Sequence, residues 1–296
     1  MLINQSGESR QKGITTDKKF DIICFGNPTV DTIITSTERF VRPGGAAMNT
    51  AATLVGLGGR AGIIGMIGTD RNGNFLLQKL DECKIDIARL RVNDKPTFTN
   101  DIKVSPHERG IAHTTKYCGV DLLAEEDLAY MSASRAILIG LRNQLFTQCA
   151  EFAAREKIIL YISAHRYLEE KAKGNEYYLA QYPVEAIIGD ENEIEAVKTH
   201  CALGPRTPLV VTRGSQGSAF LCGDATITAP IYKVESVDPT GAGDAFAAGY
   251  IFADLNGMGP AECLALGNAC GAITTAGYGA QQPITEQIVS QLLDTG

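Results

Sequence analysis

The chain has 296 residues, 44% hydrophobic and 21% charged, with 27 Lys and Arg against 34 Asp and Glu and a net charge of −7. That length and composition describe a globular protein with room for one large α/β domain, alone or with a small appendage. A net acidic chain without a Lys/Arg-rich run is not built for nucleic acid, and no apolar run approaches the ~20 residues that span a bilayer.

Residues 1–19 are polar and charged, lack the apolar stretch of a signal peptide, and predict a flexible solvated tail. Glu8 and Asp17 count against a transit peptide. From residue 20 onward, apolar runs alternate with helical stretches, the pattern of a mainly parallel sheet covered on both faces. Asp21–Gly26 reads as a first buried strand. Ala46–Leu57 reads as a small-residue helix stopped by Gly58 and Gly59, Arg60–Ile67 as a second strand, and Gly73–Cys83 as a helix. Short strands are expected at 136–140, 158–163, 185–189 and 209–212, with helices at 143–157 and 191–200 between them. From Gly241 the chain reads as nearly all helical, at 243–255, 260–276 and 285–293. One region breaks the rhythm. Thr97–Tyr117 alternates polar and apolar residues around Ser105-Pro106-His107-Glu108, which predicts a hairpin with one wet face. Ile33–Val41 offers one more strand, and the two together predict a small sheet beside the main one, at about 32–43 and 97–117.

The eight cysteines show no Cys-x-x-Cys spacing, and several sit in apolar segments such as Ile23-Cys24-Phe25. They read as buried thiols of a protein in a reducing cytoplasm. The four histidines form no metal-ligand cluster and receive no function.

Four segments carry chemistry. The most specific is Asp238-Pro239-Thr240-Gly241-Ala242-Gly243-Asp244, followed by a small-residue helix. Amides of Gly241, Ala242 and Gly243 at a helix start make an anion site with Asp244 at its rim. Such a cradle beside a carboxylate is what phosphoryl transfer to an alcohol needs, because the amides hold the phosphate and the carboxylate takes the hydroxyl proton. Alone, an Asp in a first turn is more often a cap, and Gly-Ala-Gly a tight turn. Asp31 closes the segment Gly26–Asp31 after the first strand, at the end that faces the ligand crevice of an open α/β sheet. Its carboxylate suits a polyol, and on position alone a turn Asp reads as well. Gly44 and Gly45 permit close backbone approach to a ligand, and Asn49 follows in the first turn of the next helix with an amide for hydroxyls. The glycines from Gly56 to Gly62 follow a helix, which argues against a dinucleotide fingerprint. The fourth segment, Val210–Gly217, is a strand-to-turn transition.

Together these segments resemble the ribokinase-like (PfkB) family of carbohydrate and nucleoside kinases, over roughly residues 20 to 294. The resemblance implies a three-layer αβα sandwich with a mainly parallel central sheet and a small β-lid, residues 20–296 forming the kinase domain. It implies transfer of the γ-phosphate of ATP to a hydroxyl of a small sugar or sugar-like substrate. Asp244 corresponds to the base, Gly241, Ala242 and Gly243 to the anion loop, and Asp31, Gly44, Gly45 and Asn49 to the substrate site. Thr212, Gly214 and Gly217 resemble the family's nucleotide loop, and Asn268 corresponds to a position lining the base pocket. The segment 190–195 resembles an Asn-x-x-Glu element that acts on magnesium through water. Two registers fit: Asp190 with Glu193, which matches the context after a strand, and Asn192 with Glu195, which matches the letters. An acidic first turn is also favoured by the helix dipole alone. Asp238 and Thr240 resemble ligands of a monovalent cation, potassium in the family, and the lid implies pairing of two chains as a homodimer. Several positions depart from the pattern. Only Thr32–Pro43 separates Asp31 from the double glycine, Ala46 stands where ribokinases carry Lys, Arg142 falls near an acidic position of some sugar kinases, and Pro283 lies near a cation-binding position. These departures count against ribose itself, the lid-mediated dimer and strong potassium activation. A nucleoside acceptor and a non-catalytic ligand-binding relative are the alternatives.

Overall fold

The computed structural model describes residues 17–104, 109–114, 119–141, 144–165 and 177–294. In chain order its elements are β1 (Phe20–Phe25), β2 (Thr29–Ile34), β3 (Arg39–Gly44), α1 (Ala46–Gly56), β4 (Ala61–Gly68), α2 (Arg71–Glu82), β5 (Asp86–Asn93), β6 (Thr99–Val104), β7 (Arg109–Thr114), α3 (Glu125–Ser132) and β8 (Ser134–Gly140). They continue with α4 (Phe146–Glu156), β9 (Ile159–Ser163), β10 (Val184–Asp190), α5 (Glu191–His200), β11 (Leu209–Thr212), β12 (Ser218–Cys222), β13 (Ala225–Ala229), α6 (Ala242–Leu255), α7 (Pro260–Thr275) and α8 (Glu286–Leu293).

Side-chain alternation within apolar strands builds the centre. In β1, Ile22 and Cys24 face one core while Ile23 and Phe25 face the other. A strand buried on both faces must be apolar throughout, which is why this segment shows no polar alternation. The first core takes Met48 and Leu54 of α1, Leu76 of α2, Phe246 of α6, Leu264 of α7 and Val289 of α8. The second takes Met131 of α3, Phe146 of α4 and Ile194 of α5. The result is a three-layer αβα sandwich around a nine-stranded sheet ordered β13-β12-β11-β10-β9-β8-β1-β4-β5. Its strands run parallel except β12, which is antiparallel to both its neighbours, β11 and the edge strand β13. The chain winds outward from β1 to β4 and β5, then from β8 to β11 on the other side. The order therefore reverses between β1 and β8, and the crevice at the carboxyl ends of these strands is where ligands bind in open α/β sheets.

A second sheet of four strands, ordered β3-β2-β6-β7, stands beside the first. The expectation of a single added strand at 33–41 is corrected here, because the segment forms two. Thr35 makes this possible: its amide bonds the Glu38 carbonyl at 3.0 Å and its Oγ1 accepts from the Glu38 amide at 3.0 Å. That turn lets β2 and β3 pair over six positions, from Thr29 with Gly44 to Ile34 with Arg39. The hairpin expected at 97–117 forms as β6 and β7. Its turn at 105–108, residues 115–118, Arg142, and residues 1–16 of the tail lie outside the described residues. Burial pushes the thiols of Cys24 and Cys270 up to about 12, whereas Cys83 and Cys222 are only partly buried.

Candidate active site

The loop before α6 is fixed from beneath. Asp238 is fully buried, and its Oδ1 accepts from the Thr240 amide at 2.9 Å and the Thr240 hydroxyl at 2.6 Å. Its Oδ2 accepts from the Gly279 amide at 2.9 Å. Gly241 then takes φ +78°, and a Cβ there would lie 2.3 Å from the Ala280 Cβ, so this position admits only glycine. Helix α6 starts at Ala242, and Asp244 lies in its first turn, where the backbone amides have no intrahelical acceptors and carry the positive dipole end. The Ala242 amide makes a long turn bond of 3.2 Å to Pro239.

Helix α1 supplies the next contact. Gly45 precedes it with φ +93°, where a Cβ would approach the Asn27 carbonyl to 2.5 Å. Its carbonyl accepts from the Asn49 amide at 2.9 Å, the first turn of α1. The Asn49 side chain, 5% exposed, donates from Nδ2 to Asp244 Oδ2 at 2.8 Å. Thr50 Oγ1 reaches the Asp244 carbonyl at 3.4 Å, so two successive residues of α1 hold the start of α6.

The small sheet closes the other side. Asp31 and Asn100 are paired across β2 and β6, and both are buried. Asp31 Oδ1 accepts from the Thr29 hydroxyl and from Asn100 Nδ2, each at 2.8 Å, and Thr114 Oγ1 donates to Asn100 Oδ1 at 2.9 Å. The other oxygen, Oδ2, lies where a Cβ on Gly44 would be, only 2.0 Å away, so Gly44 is needed for the carboxylate to fit. Asp31, Gly44, Gly45, Asn49 and Asp244 therefore form one continuous surface. At the far side of this sheet, Phe40 stacks on Tyr278 with centroids 4.7 Å apart, and Arg42 Nε donates to the Tyr278 carbonyl at 3.3 Å. At its base, Asp70 accepts from the Thr97 hydroxyl at 2.6 Å and the Thr97 amide at 2.9 Å. Burial alone would raise the Asp70 carboxyl, but the bonds from Thr97 and from backbone amides outweigh it and hold the group below its ordinary range.

The remaining candidates lie further along the crevice. Thr212 ends β11 and pairs with Asp190 at the end of β10. Gly214 starts a single 3-10 turn, and Gly217 backs onto the Ala229 carbonyl and Pro230. Asn268, 6% exposed, donates to the carbonyls of Ala229 at 3.2 Å and Pro230 at 2.9 Å. The glycine loop and Asn268 thus meet at residues 229–230, and Gly271 of α7, one turn beyond Asn268, faces Ala242. Asp190 and Glu193 form a reciprocal capping box, Glu193 N to Asp190 Oδ1 at 2.8 Å and Asp190 N to Glu193 Oε2 at 3.0 Å. Glu195 pairs instead with Lys198 on the exposed helix face. Among the described residues no group of three or more His, Cys, Asp or Glu could hold a metal ion, and no helix is long and apolar enough to cross a membrane. Asn100, Thr114 and Gln281, whose amide reaches Asn49 at 3.4 Å, are site contacts that sequence reasoning did not single out.

The family described as pfkB family carbohydrate kinase matches the chain over residues 20–287. The ATP-dependent ribose-1-phosphate kinase of Halopiger xanaduensis is 26% identical over 259 residues, 84% of this chain and 86% of that protein. Ribokinase of Arabidopsis thaliana, solved with ribose and ATP, superposes with a TM-score of 0.76 at 18% identity, covering 93% of this chain and 98% of that one. A nucleoside kinase of Burkholderia thailandensis, solved with inosine, superposes with a TM-score of 0.77 at 20% identity, covering 93% and 98%. At these identities the structural likeness concerns the fold.

Proposed function

The chain belongs to the pfkB family of carbohydrate kinases, and from that premise we propose that Asp244 is the base that activates a hydroxyl of a small sugar or sugar-like acceptor. The acceptor oxygen attacks the γ-phosphorus of ATP, its proton passes to the Asp244 carboxylate, and the bond to ADP breaks. Amides at the start of α6 stabilise the charge on the migrating phosphoryl group. Asp31, Gly44, Gly45 and Asn49 hold the acceptor, and Thr212, Gly214, Gly217 and Asn268 hold the nucleotide. The observation that carries this reading is the bond from Asn49 to Asp244, which joins the acceptor wall to the anion loop.

Magnesium fits as a companion of ATP, because this ion keeps most of its waters and uses few protein carboxylates. Asp190 and Glu193 sit beside Thr212 and suit a water-mediated role there. For a monovalent cation, Asp238 fits less well: three protein donors already occupy its carboxylate. Residues 20–296 act as one kinase domain, with the four-stranded sheet as its lid. The sheet ends in two edge strands, β3 and β7, and β3, where Val41 is exposed, is the edge proposed to pair two chains as a homodimer. A nucleoside acceptor is the second reading, favoured by Ala46 in place of a Lys at the entrance of the acceptor wall.

The test is Asp244→Asn, which keeps the shape and cannot take the proton. The expected result is a loss in kcat of about 10²–10⁴-fold with ATP affinity nearly unchanged. More than a tenth of wild-type turnover would overturn the assignment.

A further inference from the structure

We infer that Gln281 is a positioning residue, which sets the direction of the Asn49 amide and through it the presentation of Asp244. The inference rests on the reading of Asp244 as the base. Because Asn49 gives its NH2 to Asp244 Oδ2, its own oxygen points the other way and, being buried, needs a donor. Gln281 Nε2 supplies that donor at 3.4 Å. The Gln281 oxygen is met in turn by the Cys83 thiol at 3.8 Å, within reach of a weak S–H donor.

Donors and acceptors therefore run in one direction, from Cys83 through Gln281 and Asn49 to Asp244. Reversing the Asn49 amide would set its oxygen against the carboxylate and its NH2 against that of Gln281. The chain draws on four places in the fold: the C-terminal end of α2, the segment after α7, the start of α1 and the start of α6. Gln281 also lies two residues beyond Gly279, whose amide bonds Asp238. One short segment thus supports both the anion loop and the amide that faces the base. With Oδ2 of Asp244 occupied by Asn49, Oδ1 is the oxygen presented to the acceptor hydroxyl.

A carboxylate at position 281 can accept from Asn49 and cannot donate to it. It would turn the Asn49 oxygen toward Asp244 and raise that carboxylate's proton affinity. The experiment compares Gln281→Glu, Gln281→Met, Asn49→Ala and the double variant Asn49→Ala/Gln281→Met, reading kcat against pH and KM for ATP. Gln281→Met is expected to lower kcat about tenfold with KM for ATP within about twofold. Gln281→Glu is expected to move the acid limb of the kcat profile upward by about one pH unit, which lost packing alone would not do. The double variant is expected to lose no more than Asn49→Ala alone. An unshifted acid limb in Gln281→Glu, or losses that multiply in the double variant, would overturn the inference, and the Glu profile decides if Gln281→Met does not fold. Asp244→Asn, run alongside, separates the two levels. If that variant keeps its turnover, the base reading falls and this inference with it. If it is inactive while Gln281→Glu matches wild type, this inference alone falls.

Discussion

The nine-stranded sheet is covered on both faces, so β1 buries Ile22 and Cys24 in one core and Ile23 and Phe25 in another. Among the described residues, the core of the four-stranded sheet is Ile33, Ile102 and Val104, closed by Phe40 and Tyr278. Asp244 stands on α6, which packs against the first, and Asp31 on β2 of the second. A sheet with so small a core depends on its seams with the main body, at Asp70 and Thr97 on one side and at Phe40, Arg42 and Tyr278 on the other. The difference teaches where each task belongs. Proton transfer needs a carboxylate fixed to a deep core, whereas holding and releasing an acceptor needs a wall that opens. On this account the thick wall sets kcat and shares the acceptor, through Asn49, with the thin wall, whose Asp31 sets much of the acceptor affinity.

The sharpest way to break that division is Asp31→Ala. On its proposed role in binding acceptor hydroxyls, loss of this carboxylate is expected to raise acceptor KM by about 30–100-fold and to leave ATP affinity within a few-fold. An unchanged acceptor KM, read from initial rates, would leave Asp31 with a role internal to the small sheet. Next in size is Phe40→Ala, which removes the stack on Tyr278. Amide exchange in β2 and β6 is expected to speed up by about tenfold while β1 keeps its protection, because the lost ring contact and burial act on one seam only. The acceptor is expected to slow exchange in β6 and β7 of the wild-type protein. Equal protection with and without it would mean a lid already closed. The smallest effect concerns potassium. With the Asp238 carboxylate already bonded three times by the protein, replacing a bulky organic cation with potassium is expected to raise turnover a few-fold at most. A large activation would show that Pro283 and these bonds leave the cation site intact.

Much of this arrangement is legible in the sequence, and the gaps have physical causes. The Gly241–Asp244 loop and the pair Gly44 and Gly45 stand out because only glycine tolerates the approach of Ala280 to one and of Asp31 to the other. The central strands are legible because burial on both faces leaves unbroken apolar runs. Strand β5 is not, since its Arg89 and Arg91 read as surface charge until Asp127 of α3 is brought against them at 2.7 and 2.6 Å. The hairpin of β12 and β13 carries a turn signal at Gly223 and Asp224, but its half-exposed pattern is weak at an edge. The two strands in 29–44 are hidden because the turn at Thr35 rests on a hydroxyl rather than on glycine or proline. Asn100, Thr114 and Gln281 acquire meaning only through partners 69, 14 and 232 residues away, at Asp31, Asn100 and Asn49 respectively.

The central claim, that the crevice between these walls transfers phosphate from ATP to a small hydroxylated acceptor, is tested most directly by ADP release from magnesium-ATP across a panel of sugars, nucleosides and inositol. The account predicts that at least one sugar or nucleoside raises ADP release far above the rate without acceptor, matched mole for mole by phosphorylated product. ADP release equally slow with every member of the panel, from protein shown to bind ATP and those acceptors, would contradict it.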